Sequence, residues 1–134
     1  MFDAYALLDL LLAKPEATRS DPERTLFPAV LVLVDFSNGA WLYNMSPEEG
    51  GDWSRLKQAA DAIRAVGHPI IADLLERIIR IVDQPFDPSI RTWGGYLAAL
   101  DPSNEIEACE RAIEGHLPEL QRAVTAFAAN IGLP

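Results

Sequence analysis

LFPAVLVLVDF, Leu26 to Phe36, is the stretch on which the fold turns. Val30, Val32 and Val34 alternate as they would in a strand, yet the same run suits a helix buried on several sides. A strand here would need a second one to complete its backbone hydrogen bonds, and the chain offers none that is convincing. The run is therefore read as a helix, with Pro28 near its start. Upstream, MFDAYALLDLLLAK predicts a helix from about Phe2 to Ala13, stopped by Pro15. SDPERT then caps the next helix, with Asp21 as N-cap, Pro22 at the first helical position and Glu23 in the first turn.

Downstream the helical period is clearer. In DWSRLKQAADAIRAVGHP, Trp53, Leu56, Ala60 and Ile63 fall on one face; Asp52 caps the start, and Gly67 followed by Pro69 ends the helix. PIIADLLERIIRIV is apolar on nearly all sides, as a central helix should be. Its polar residues Asp73, Glu76, Arg77 and Arg80 form a solvated stripe, with Asp73–Arg77 and Glu76–Arg80 as i,i+4 pairs worth about 0.2–0.5 kcal/mol each. A further helix is predicted from about Pro88 to Leu100, weakened by Gly94-Gly95. Two more follow, about Ser103 to Gly115 and Pro118 to Ile131, with Pro118 at the first position of the second. Residues 1–134 thus read as one all-α, compact domain of six or seven helices.

Charge narrows the function. Twenty acids against 11 bases give a net charge of −9, so phosphate backbones and anionic membranes are repelled and basic partners favoured. The N-terminal helix carries Asp3 and Asp9 and lacks a basic n-region, so it reads as core rather than as a signal peptide, and no run approaches the roughly 18 apolar residues of a membrane span. A cytoplasmic location is expected. Cys109 is the only cysteine, which excludes an intrachain disulfide and a thiolate zinc site.

Catalytic chemistry finds little to work with. His68 before Pro69 reads as a helix cap, and His116 before Leu117-Pro118 reads the same way; their spacing matches no metal motif, so neither a metal nor a cofactor is expected. Cys109 falls on an apolar stripe, where an inert buried thiol is the simple reading. There is no nucleophile elbow, phosphate loop or dinucleotide fingerprint. The protein is expected not to be an enzyme.

FSNGAWLYN, Phe36 to Asn44, places Asn38-Gly39, where positive φ is cheap, before an aromatic helical turn containing Trp41, Leu42 and Tyr43, with Asn44 and Ser46-Pro47 closing it. An apolar helix followed by Asn38, Gly39, Ala40, Trp41, Tyr43 and Asn44 resembles the bacterial DNA-mimic family, whose usual form is Asn-Gly-Gly-Phe-x-x-Phe/Tyr-x-Asn. Ala40 replaces a glycine of that form, and the last aromatic is one place off. Ile63, Ala65 and Gly67, then Ala72 and Leu75, and a late LAALD from Leu97 to Asp101 continue the similarity across roughly Thr25 to Ile131. The resemblance implies a helical fold with an acidic surface that occupies the DNA-binding face of a partner protein.

Where that surface would lie is read from the charges themselves. Residues 101–134 hold 6 acids and 2 bases, against 6 and 3 in residues 1–47 and 8 and 6 in residues 48–100. In NEIEACERAIEGHLPEL, Ile106, Cys109 and Ile113 make an apolar stripe, while Glu107, Glu110 and Glu114 repeat the same spacing one residue on. That ridge spans about 10 Å and, with Glu105, could imitate a row of phosphates. A second acidic cluster is Glu48, Glu49 and Asp52. The leading expectation is a non-enzymatic acidic interaction protein that blocks a basic partner, such as a DNA-binding protein or transcription factor, without touching nucleic acid itself; a homodimer is compatible. An immunity- or antitoxin-like protein is the first alternative. A helical domain binding a small molecule in a cleft near Trp41, Tyr43, Trp93 and Tyr96 is the second.

Overall fold

The computed structural model describes residues 3–38, 41–44, 53–84 and 92–133. Seven α-helices lie among them, one of a single turn, with no strand: α1 Ala4–Leu12, α2 Asp21–Asn38, α3 Trp41–Asn44, α4 Ser54–Ala65, α5 Pro69–Val82, α6 Trp93–Leu100 and α7 Glu105–Asn130. None is long and apolar enough to cross a membrane. The fold is all-α, and the helices share one apolar core.

LFPAVLVLVDF is helical, as its lack of a partner strand required. Leu26, Ala29, Val30, Val32 and Leu33 are all buried, because α1, α3, α4 and α7 each pack on α2. Pro28 sits inside this 18-residue helix, beyond its start. The cap also differs from expectation: Ser20, not Asp21, holds the N-terminus. The Glu23 N–H donates to Ser20 Oγ at 3.2 Å and the Ser20 N–H to Glu23 Oε1 at 3.0 Å, a reciprocal capping box of the Ser-x-x-Glu kind. Arg19 binds the preceding segment to α2. Its Nε donates to the Leu11 carbonyl at 3.0 Å, and its guanidinium lies 4.7 Å over the Phe27 ring.

The α4–α5 junction follows the sequence closely. Gly67 takes φ +101°, its N–H bonds the Arg64 carbonyl, and the His68 N–H bonds the Ile63 carbonyl, which together make a Schellman turn. Asp52, the expected cap of α4, lies outside the described residues. α5 buries Ile71, Ala72, Leu75, Ile78 and Val82 against α4, α6 and α7. Its polar stripe does not form the intrahelical pairs Asp73–Arg77 and Glu76–Arg80. Arg64 of α4 instead bridges Asp73 and Glu76 at 2.8 and 2.9 Å, and Arg77 reaches Glu105 of α7 at 2.8 Å.

Two boundaries change near the C-terminus. α6 begins at Trp93, with the Thr92 hydroxyl accepting from the Gly95 N–H, rather than at Pro88, which lies outside the described residues. Residues 105–130 form one helix, not two broken before Pro118. Ile106, Cys109, Ile113, Leu120, Val124 and Ala128 make one unbroken buried stripe along it. Burying Leu120 and Val124 at about 1.5–3 kcal/mol each offsets the roughly 3 kcal/mol that an interior proline costs. The helix starts at Glu105 rather than Ser103 because Asp101 serves as its anchor, accepting from the Glu105 and Ile106 N–H groups at 2.9 and 2.8 Å.

Two measurements check this account. No atom stands within 4 Å of a Cβ built on Gly67, so Gly67→Ala carries only the left-handed backbone cost and should lower stability by about 1–2 kcal/mol in urea unfolding. Glu23 is held at about 2, against an ordinary 4.5, chiefly by the Lys14 ammonium at 2.8 Å and the Ser20 N–H. Its contribution is therefore complete above pH 4.5 and lost as pH falls toward 2. The stability difference between wild type and Glu23→Gln should shrink across that window, and a constant difference would refute the pairing.

Candidate functional site

α7 carries the expected acidic ridge on the side next to its buried stripe, but the fold has already engaged most of it. Glu105 pairs with Arg77. Glu107 accepts from Arg111 at 2.6 Å and from the Asn104 amide at 2.7 Å. Both sit in the first turn of α7, where acids complement the helix dipole. Glu110 turns inward, half-buried, and its Oε2 accepts from the Trp41 indole N–H at 3.2 Å. Glu114 is exposed and has no ion-pair partner among the described residues. Burial pushes the Glu110 carboxyl up; the Trp41 hydrogen bond opposes this, and the Glu114 and Glu107 charges add to the rise. Glu48, Glu49 and Asp52, the second acidic cluster, lie outside the described residues.

The aromatic residues divide into two stacks. Trp41 lies on Phe36 with ring centroids 4.6 Å apart. Trp93 stacks on Tyr96 at 5.5 Å and leans on Trp53 at 6.3 Å, while the Tyr96 hydroxyl donates to the Val82 carbonyl at 3.0 Å. Trp41, Tyr96 and Trp53 are buried in the core, and the Tyr96 hydroxyl closes the C-terminal end of α5. Gly39, with the side chains of Asn38, Tyr43 and Asn44, lies outside the described residues. A groove between α4 and α5 is lined by Lys57, Ala60, Asp61, Glu76, Ile79 and Arg80. Its two bases and two acids give it no net sign. Cys109 is buried, and burial pushes its thiol up, away from the thiolate a nucleophile needs.

A third constellation was not legible as a group in the sequence. His68 is the cap it was expected to be: its Nδ1 accepts from the Ile71 N–H at 3.2 Å at the start of α5. His116 is not a cap but a mid-helix residue of α7, because the helix runs through Pro118. The packing of α5 on α7 brings the two rings edge to face, 5.7 Å between centroids. Both reach Glu119 Oε2, His68 Nε2 at 3.1 Å and His116 Nδ1 at 3.0 Å. The His116 and His68 hydrogen bonds, in that order, hold the Glu119 carboxyl below its usual range. His68 is 8% exposed, His116 33% and Glu119 49%, so the cluster opens outward from a buried floor.

No protein-family model, curated protein or solved structure matches the chain.

Glu110 can be tested apart from any partner. Glu110→Gln keeps an acceptor for the Trp41 indole and removes a half-buried charge, so stability at neutral pH should equal or exceed that of the wild type. Glu110→Ala strands the indole N–H and should cost about 1–3 kcal/mol in thermal or urea unfolding.

Proposed function

We propose that this is a non-enzymatic acidic interaction protein that engages a basic face of a partner protein through the acidic side of α7, where Glu114 is exposed and Glu110 half-buried. Supporting it above all is the Glu110–Glu114 pair. These are like charges one helical turn apart, which weaken an isolated helix, and neither has a base of its own chain as counter-ion among the described residues. A lysine or arginine from a partner would supply what the fold withholds, with fast, salt-sensitive association as its signature. Glu105 and Glu107 contribute less to such a surface, since Arg77 and Arg111 already neutralise them. That the partner is itself a DNA-binding protein is the finer reading, suggested by the sequence resemblance and by carboxylates repeated along one helix face.

Affinity capture from the source cells at stepped salt, followed by titration of the purified partner, tests it. Glu110→Gln with Glu114→Gln should weaken binding by about tenfold or more and flatten its salt dependence, while Glu107→Gln alone leaves both nearly unchanged. Equal affinity for the double variant would sink the proposal. Displacement of the partner by competing DNA would support the DNA-mimic reading, and a captured toxin domain would replace it with the immunity reading.

A further inference from the structure

We propose that His68, His116 and Glu119 form a binding site for a divalent transition-metal ion, with zinc the best fit. One ring nitrogen from each histidine and a Glu119 oxygen all lie within 4.8 Å of one another. Tetrahedral zinc, bound at about 2.0–2.1 Å, keeps its ligand atoms roughly 3.3–3.4 Å apart. The two nitrogen–oxygen spacings of 3.1 and 3.0 Å are slightly shorter than that, so an ion entering the cluster pushes the carboxylate back and draws the imidazoles together. Two imidazoles and one carboxylate are a set that zinc uses when it keeps a fourth position open to water. The outward exposure of Glu119 and His116 leaves room for that water.

The scaffold is suited to the task. His68 is fixed by the Gly67 turn between α4 and α5, and His116 and Glu119 stand three residues apart on one face of α7. Binding has a definite structural consequence. In the metal-free form His68 Nδ1 accepts from the Ile71 N–H, so the proton sits on Nε2 and points at Glu119. Coordination through Nε2 moves that proton to Nδ1 and releases the Ile71 N–H from its cap. His116 likewise gives up its Nδ1–H bond to Glu119 and carries its proton on the outward nitrogen. Metal binding thereby competes with the cap of α5, and the Ile71 amide reports it.

The test is calorimetric titration of the chelator-treated chain with zinc chloride, with cobalt(II) absorption as a second probe. One equivalent should bind, with the visible bands of tetrahedral cobalt(II) and a displaced Ile71 amide resonance. Second-sphere partners of zinc sites are already worth about 10–100-fold, so His116→Ala or Glu119→Gln should weaken binding by at least that much. His68→Asn separates the two roles: asparagine offers an acceptor where Nδ1 lies and keeps the cap, but supplies no imidazole. It should lose the metal while the protein stays folded with its α5 cap intact. Absence of a one-equivalent transition, or binding undiminished in His116→Ala, would overturn the assignment.

Discussion

The enclosure of α5 is the constraint from which the other features follow. Ile71, Leu75, Ile78 and Val82 are completely buried, and α4, α6 and α7 are arranged around them. At about 1.5–3 kcal/mol for each side chain, this burial outweighs the arginine bridges along the polar edge of α5, worth under about 1 kcal/mol apiece. The bridges therefore adjust to the packing rather than direct it. Arg64 and Arg77 take acids on neighbouring helices because the core has already set those helices side by side.

Both ends of α5 are tied by side chains that also face other elements. At its start, His68 caps the helix and touches α7; at its end, the Val82 carbonyl receives the Tyr96 hydroxyl of α6. At each end of this enclosed helix, a side chain that also meets another element bonds a terminal backbone group. The histidine–carboxylate cluster arises from this economy: one imidazole is placed by capping and the other by the register of α7 on the core.

Local signals were legible where physics is local. The Gly67 turn, the stop of α1 near Pro15 and the capping role of His68 each depend on a few consecutive residues, and each was readable in the sequence. Long-range effects were not. Pro118 is a strong local break, overridden by Leu120, Val124 and Ala128 continuing the same buried stripe. The i,i+4 rule proposes partners only within a helix, so it missed Arg64 and Arg77 reaching across. Even the Ser20 cap was obscured, because Asp21 beside it is an equally good cap in isolation. His68 and Glu119 are 51 residues apart, and only the packing of α5 against α7 brings them together. The acidic ridge was legible as a pattern, but not the division of its carboxylates between intramolecular pairing and exposure.

Cys109 gives the same packing a chemical clock. The lone thiol lies on the α7 stripe, sealed from solvent and held in its neutral form by burial. An alkylating reagent can reach it only when α7 parts from the helices beneath it, so the rate of modification measures that opening and not the reactivity of an exposed sulfur. With no second cysteine in the chain to compete, every labelled molecule records one such event at one place.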